Sequence, residues 1–414
     1  MSGRAGTCPP PRDIGVLRCA DGDDAECGAR PEGTGTADGG GAEDLVHPDG
    51  GRVEMRLGEI RLAEPGEFLA GIPALLGFVP VRSLVVAVLR AAPLDPDSAM
   101  IDVVARFDLD SPSTRASDRA TLVATVADVC EQDGVVGVLA AVIDDRRTEP
   151  EPGVIGRDRL ITAVAARLDR REIALCGAWA VPAIGPGHGW WSVLGADRRG
   201  VVPDPAASPI TLSHVLHGRQ IMRSRSELIA LVTADSRMRE LVGAQMGRAF
   251  ARAHRRFTPA SGGGDRIGYR RRAVEYMLWQ IANVASGTPM SPTELAELAA
   301  ALRDRHVRDA MFALAGTEHA DAAEQLWAMM TRALSGHDRA EAATLLGYYA
   351  YARGDGPFAG IALAAALDAD PAHPMAALLD TALRSGMHPD RLQRLTTCGR
   401  ETAVDLGIDL DTVR

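Results

Sequence analysis

The hydrophobic pattern of the chain changes near residue 205, and this change limits the available folds more than any other feature. Before that point, short apolar runs typical of strands alternate with runs that carry apolar residues every three or four positions, as helices do. After it, nearly every patterned segment is helical and is bounded by Gly or Pro. The sequence therefore predicts an α/β domain over residues 53–205 and a helical domain over residues 206–414.

The α/β part contains four apolar runs that predict strands. They cover residues 83–89, 101–107, 135–143 and 173–181. Their continuous apolar character predicts burial on both faces of a sheet. Helical runs at 117–131 and 157–168 alternate with them, and this alternation is typical of β-α-β units. We therefore expect a mostly parallel sheet with helices on both faces.

The helical half contains one segment, residues 340–373, that matches the 34-residue spacing of a tetratricopeptide repeat. Leu346-Gly347, Ala359 and Pro371 fall at positions where that repeat has Leu-Gly, Ala and Pro, but Ala343 stands where it has Trp. No second copy is found on either side. Because a solenoid buries its apolar faces only by stacking several units, we predict a tetratricopeptide-like hairpin inside a larger bundle rather than a repeat array.

The N-terminal segment, residues 1–52, is acidic and rich in Gly and Pro. Eleven acidic residues lie between Asp13 and Glu54, against five arginines between Arg4 and Arg52. Such a composition buries too little apolar surface to offset the entropy of ordering the chain. We expect this extension to be disordered.

The basic residues of the chain are all arginine: the 45 Lys and Arg positions contain no lysine. A Walker phosphate loop, a pyridoxal Schiff base, the kinase signature and the Ser-x-x-Lys acylase motif each require a lysine. The composition therefore excludes these enzyme classes.

Several motifs together resemble a known family. They are Pro73–Pro80 followed by Ser83–Val86, Trp190–Ser192, Asp204–Pro209, Gly218–Arg219, Ser224–Leu228 and the segment Leu345–Pro371. Through these motifs, the chain resembles an actinobacterial family known as domain of unknown function 4192, over residues 55–395. The resemblance implies the architecture. It implies no reaction, cofactor or ligand.

Polar residues follow the predicted strands at the edge where α/β proteins bind ligands. The candidate ligand-binding residues are Asp108, Asp144, Asp145, Arg147, His188 and Trp190. Two carboxylates from different strand ends could hold Mg²⁺ or share a proton, and an arginine could take a phosphate or carboxylate. The alternative interpretation is that these residues only end the strands and enter solvated loops.

Positive charge is concentrated between Arg219 and Arg272, where 13 arginines stand against four acidic residues in a chain of net charge −10. A predicted helix over residues 236–257 has an apolar face and a basic face. The candidate partner surface on that basic face is Arg248, Arg252, Arg255 and Arg256. An acidic partner, either another protein or the acidic N-terminal extension of this chain, is favoured over nucleic acid, because no nucleic-acid-binding motif accompanies the charge. A solvated surface without a partner is the alternative.

Metal and membrane signals are weak throughout the sequence. The six cysteines include no Cys-x-x-Cys pair, no metal-binding motif is identified and no cofactor is indicated. The longest apolar runs are about ten residues, half of what a membrane helix needs. We expect a cytoplasmic protein with reduced cysteines, no metal site and no membrane contact.

The favoured function is therefore a small-ligand-binding or protein-interaction module with a regulatory role. No complete catalytic constellation can be assembled from the sequence. The alternative is an enzyme with a carboxylate-lined, magnesium-dependent site at the carboxyl edge of the sheet, in which Asp144 or Asp145 acts on the metal or as a base.

Overall fold

The structure is a computed structural model that describes residues 64–410 apart from 93–94, 111–115, 132–133, 151–157, 217–218 and 263–264, together with strand backbone at 13–16, 54–57 and 60–62. The extension predicted to be disordered, residues 1–52, lies outside the described residues except for the strand at Asp13–Val16, which the sequence did not predict. The chain divides into two compact units. The sheet unit is Leu17–Leu75 with Pro80–Gln220, and the helical unit is Leu76–Val79 with Ile221–Arg414 and Met1–Val16.

The described strands vary from three to fourteen residues in length. They are β1 (Asp13–Val16), β2 (Glu54–Leu57), β3 (Ile60–Leu62), β4 (Ser83–Ala92), β5 (Asp95–Asp108), β6 (Val135–Ile143), β7 (Leu175–Val181), β8 (Gly189–Ser192) and β9 (Arg199–Val201). The last eight form a sheet in the order β3-β2-β5-β4-β6-β7-β8-β9. All four predicted strands are present, as β4, β5, β6 and β7.

The direction of the strands differs from the prediction. Only β2 with β5 and β6 with β7 are parallel among the neighbouring pairs of these eight strands, and the other five pairs are antiparallel. The α/β class is confirmed, but the prediction of a mostly parallel sheet is wrong. Only residues 93 and 94 separate β4 from β5, and a connection that short joins antiparallel neighbours.

The centre of the sheet is buried on both faces, as predicted. Every residue from Leu84 to Leu89 of β4 and from Val138 to Ile143 of β6 is buried. Because successive side chains of a strand point to opposite faces, burial of consecutive residues means that both faces are covered. Continuous apolar runs therefore reported burial correctly, although they carried no information about strand direction.

The described helices cover most of the rest of the chain. Those that begin in the sheet unit are α1 (Pro65–Leu76), α2 (Ala116–Cys130), α3 (Arg159–Asp169) and α4 (Pro209–Leu216). Those of the helical unit are α5 (Arg225–Ala230), α6 (Ser236–Gly262), α7 (Arg266–Ala285), α8 (Pro292–Leu302), α9 (Arg305–Met311), α10 (Ala320–Ala333), α11 (Gly336–Ala352), α12 (Gly356–Ala369), α13 (Pro374–Arg384) and α14 (Gln393–Asp405). None of the described helices is both long and apolar enough to cross a membrane.

The start of α8 shows how the sequence defines a helix end. The Ser291 side chain accepts a hydrogen bond from the Glu294 backbone N–H, and the Glu294 carboxylate accepts one from the Ser291 backbone N–H at 2.7 Å. The sequence Ser-Pro-Thr-Glu at 291–294 is typical of such a capping box. It sets the point at which α8 begins.

The helices α11 and α12 form the predicted helical hairpin, joined by Arg353–Asp355. Their close approach depends on Gly347, because a Cβ at that position would lie 2.7 Å from Cγ of Leu363. Trp327, Tyr348 and Tyr351 are fully buried and are the largest side chains in the core of this unit. The resemblance of the hairpin to a tetratricopeptide unit stays a prediction.

Candidate functional site

The first candidate site lies at one edge of the sheet, where the start of β4 meets the ends of β5 and β6. Ser83 pairs with Asp108 on one side and with Ile143 on the other, because β4 is antiparallel to both neighbours. Residues that follow β5 and β6 and residues that precede β4 therefore meet at this edge. The sequence placed Asp108, Asp144 and Asp145 here.

The carboxylates at this edge are held by arginines. Arg82 donates to Asp145 at 2.7 Å and to Asp110 at 3.1 Å, and Arg146 donates to Asp110 at 2.8 Å and to Asp144 at 2.7 Å. Two further ion pairs extend the network. Arg147 pairs with Asp158, and Nη2 of Arg106 lies 3.3 Å from Oδ2 of Asp108. Positive and negative groups therefore alternate across the whole edge.

This pairing favours the ionised forms of Asp144 and Asp145. Burial acts to raise the pKa of Asp144, but the hydrogen bonds from Arg146 and the charges of Arg146 and Arg147 outweigh it and lower that pKa. The hydrogen bond from Arg82 lowers the pKa of Asp145. A general base that works near neutral pH needs a raised carboxylate pKa, so the geometry does not favour this role. Among the described residues, no cluster of three or more His, Cys, Asp or Glu side chains could hold a metal ion.

The structure brings together four of the six residues predicted for this site. Asp108, Asp144, Asp145 and Arg147 lie at the edge. The other two lie apart from this group. His188 precedes β8 and is exposed, whereas Trp190 lies in β8 and is buried. The Trp190 indole packs so closely on Gly200 that a Cβ at position 200 would lie within 2.8 Å of the indole ring.

A shallow cleft of about 340 Å³ opens beside this edge. The neighbouring tryptophan, Trp191, lines it together with Arg146, Arg147 and Arg159. Trp190, the tryptophan predicted for this site, is absent from its lining. The alternation of side chains along β8 explains the difference, because adjacent residues of a strand point to opposite faces.

The second candidate site is a larger cavity of about 650 Å³ in the helical unit, referred to below as the α6–α8 cavity. Each of three helices contributes one stripe of residues at the three- and four-residue spacing of a single helix face. The stripes are Ala249, Arg252, Ala253 and Arg256 on α6, Tyr269, Arg272, Ala273 and Tyr276 on α7, and Glu297, Ala300 and Ala301 on α8. Its volume lies in the range typical of small-molecule sites.

Alanine accounts for the empty space. Five of the eleven lining residues are alanine, and they lie on all three helices. A leucine or phenylalanine at such positions would fill the space between packed helices, whereas the methyl group of alanine leaves it open. The arginine and tyrosine side chains on the same stripes then surround an apolar floor.

The polar groups of the cavity form a connected set around Glu297. Its carboxylate pairs with Arg252 and accepts a hydrogen bond from the Tyr276 hydroxyl at 3.1 Å. The buried Gln280 amide donates to the Tyr276 oxygen at 2.9 Å, which orients that hydroxyl toward Glu297. Tyr276 and Glu297 are therefore held in place by a third side chain.

The other two guanidiniums of the cavity, those of Arg272 and Arg256, are more available to a ligand than that of Arg252. Arg272 lies 3.3 Å from Asp265, a contact between exposed side chains. Arg256 is exposed and forms no ion pair with any described residue. With three arginines and one carboxylate in the lining, the cavity carries an excess of positive charge in an acidic chain.

Both tyrosines of the cavity are neutral hydrogen-bonding groups at physiological pH. Burial raises the pKa of Tyr269, with a further contribution from the charge of Asp304. Burial also raises the pKa of Tyr276, and this effect exceeds the lowering caused by the hydrogen bond from Gln280. The cavity therefore offers guanidinium donors and the Tyr269 phenol, which suit an anionic oxygen, whereas the Tyr276 hydroxyl already donates to Glu297.

The structure separates the four arginines that were predicted to form one partner surface. Arg252 and Arg256 line the cavity, whereas Arg248 and Arg255 are exposed on α6 outside it. Tyr269, Arg272, Tyr276 and Glu297 were missed. A signal was present in the paired patterns Ala-x-x-Arg-Ala-x-x-Arg on α6 and Tyr-x-x-Arg-Ala-x-x-Tyr on α7, in which alanine and a functional side chain repeat on one face.

Comparison with known proteins identifies a family and nothing closer. The family model described as Domain of unknown function (DUF4192) matches residues 65–390, which include both candidate sites. No curated protein and no solved structure matches the chain.

Proposed function

Because the chain belongs to the family described as Domain of unknown function (DUF4192), which names no ligand, we propose its function from its own geometry: a module that binds a small anionic molecule in the α6–α8 cavity. The observation that carries this proposal is a cavity of about 650 Å³ lined by three guanidiniums, two phenols and one carboxylate. Arginine recognises phosphate and carboxylate oxygens through paired hydrogen bonds. The alanine floor supplies the apolar surface that most small-molecule sites have.

The enzyme alternative at the sheet edge receives less support. A magnesium site or a general base there would need carboxylate oxygens free to bind a metal or a proton. Asp144 and Asp145 instead accept hydrogen bonds from Arg146 and Arg82. A ligand at this edge would have to compete with those arginines, whereas Arg256 in the cavity has no such competitor among the described residues.

Two further predictions accompany the proposal. Arg248 and Arg255 remain the predicted surface for an acidic protein partner, since both are exposed on α6. Cys130, Cys176 and Cys398 are free thiols, which suits a reducing compartment such as the cytoplasm. Neither prediction depends on occupancy of the cavity.

Calorimetric titration of the full chain with inorganic pyrophosphate tests the proposal. The informative pair of variants is R256Q and R255Q, which remove one positive charge each from adjacent positions of α6, although only Arg256 lines the cavity. Hydrogen bonds to charged groups contribute about 1.5–3 kcal/mol, so R256Q should weaken binding at least about tenfold. R255Q should change it by no more than about twofold, through long-range charge alone.

Equal losses in the two variants would show binding to the basic surface rather than to the cavity. No binding of pyrophosphate or citrate by the wild-type chain at low ionic strength would contradict the proposal altogether.

A further inference from the structure

Four aromatic side chains lie in or next to the lining of the α6–α8 cavity. Aromatic residues make up 4% of the sequence. Two of them, Tyr269 and Tyr276, line the cavity, and two more, Phe257 and Trp279, pack against these tyrosines. An anion alone needs no aromatic wall, so the two rings that line this cavity indicate a further feature of its ligand.

The packing of the four rings holds the cavity tyrosines in fixed orientations. Trp279 stacks on Tyr276 with ring centroids 6.0 Å apart and an interplanar angle of 27°. Phe257 meets Tyr269 edge to face, at 5.2 Å and 69°. Rings that are already ordered lose little conformational entropy when a ligand binds against them.

The spacing on α7 places a guanidinium between the two tyrosines. Arg272 follows Tyr269 by three residues and precedes Tyr276 by four. At 1.5 Å of rise per residue, its Cα lies about 4.5 Å along the helix axis from one tyrosine and about 6 Å from the other. These separations match a ligand in which an anionic group is attached directly to a flat ring or one or two bonds away from it.

We infer that the ligand of the α6–α8 cavity carries an aromatic ring beside its anionic group, the ring packing against Tyr276 and the anion binding Arg272 and Arg256. This inference rests on the proposed function and adds the chemical class of the ligand. Phosphate and carboxylate share the required anionic chemistry, so nucleotides and aromatic acids are the two sources that an experiment must distinguish.

Trp279 supplies a spectroscopic reporter for the site. The other four tryptophans of the chain are at most 4% exposed, whereas Trp279 is 55% exposed and in contact with a cavity tyrosine. A ring that packs on Tyr276 extends this stack and changes the emission of Trp279. The variant W279F removes this reporter and confirms the origin of the signal.

The test compares phenyl phosphate with cyclohexyl phosphate on the full chain, by calorimetry and by Trp279 fluorescence. Both ligands carry the same anion on a six-membered ring, and only one ring is aromatic. Phenyl phosphate should bind about threefold to tenfold more tightly, the range expected for a favourable aromatic pair. Y276L should lose most of this preference, whereas Y276F, which keeps the ring and removes the hydroxyl, should retain it.

Two further pairs distinguish the sources of the ligand. AMP against ribose 5-phosphate tests nucleotides, and phenylacetate against cyclohexylacetate tests aromatic acids. The pair with the larger affinity ratio identifies the better source.

The outcomes separate this inference from the proposed function. Equal affinity for the aromatic and saturated members of all three pairs would overturn the inference and leave the anion site intact. Loss of the preference in Y276F as well as in Y276L would also overturn it, because the hydroxyl rather than the ring would then be responsible. Failure of every anion, pyrophosphate included, would overturn both.

Discussion

Glu297 is the acidic side chain among the residues that line the α6–α8 cavity, and its ion pair with Arg252 competes with any bound anion. Replacing it by glutamine (E297Q) removes that competition and the repulsion between two negative groups. Exposed ion pairs contribute about 0.2–1 kcal/mol, so E297Q should tighten pyrophosphate binding by about twofold to fivefold in a calorimetric titration. The control is E275Q, which removes a carboxylate on α7 outside the cavity. Weaker binding by E297Q would show that Glu297 contacts the ligand favourably.

Asp144 at the sheet edge gives a prediction about pH. Its pKa is lowered in the folded protein, so its ionised form stabilises the fold above the ordinary aspartate pKa of about 3.9, and this contribution is lost as pH falls through the folded value. Thermal unfolding should therefore show D144N less stable than the wild type at pH 7, with the difference shrinking below about pH 4.

The exposed Glu401 in the interior of α14 provides the control for the same change from carboxylate to amide. E401Q should change stability much less at either pH. A difference between D144N and the wild type that stays constant from pH 7 to pH 2.5 would contradict the role of the ionised carboxylate.

At the scale of elements, two helical glycines have opposite roles that the sequence does not distinguish. A Cβ at Gly399 of α14 would lie 2.7 Å from the backbone N of Ala313 and 2.7 Å from the carbonyl oxygen of Asp309, so α14 packs directly against backbone. A Cβ at Gly247 of α6 would meet nothing within 4 Å. The first glycine is required by packing and the second is not.

Alanine substitution should therefore act in opposite directions at these two sites. G399A should lower the free energy of unfolding by about 1–3 kcal/mol, because the backbone must shift to accept the methyl group. G247A should raise it by up to about 1 kcal/mol, because alanine favours the helix over glycine. Denaturant titration of the full chain measures both. Equal effects of the two substitutions would show that α14 moves freely away from its neighbour.

The positions of the elements followed from the sequence better than their pairing. The run 135–143 coincides with β6, and the run 83–89 lies within β4, because burial on both faces leaves a continuous apolar signal. The same signal is compatible with either strand direction. Direction depends on the two residues between β4 and β5, and the pattern of the strands themselves does not contain it.

At the scale of the whole molecule, the candidate site also depends on packing that the pattern of a single element does not contain. Arg252 and Arg256 were identified from the spacing of charge on one helix, but a cavity arises only when the alanines of α6, α7 and α8 face one another. That arrangement depends on the packing of three helices that are distant in sequence. Glu297 on α8 lies 45 positions after Arg252 on α6. A pattern within one helix indicates which residues share a face and leaves open which other helices that face meets.

The central claim, that the α6–α8 cavity holds the ligand, is tested most directly by narrowing the cavity without changing its charge. The variant A273L adds three carbon atoms to the α7 stripe, and A282L makes the same change at an exposed position of the same helix. Pyrophosphate should bind A273L at least about tenfold more weakly than the wild type, a loss of about 1.4 kcal/mol. The circular dichroism spectrum of A273L should match that of the wild type, and its unfolding temperature should be no lower. A282L should bind as the wild type does. Unchanged affinity in a folded A273L variant would contradict the claim and place the anion outside the cavity.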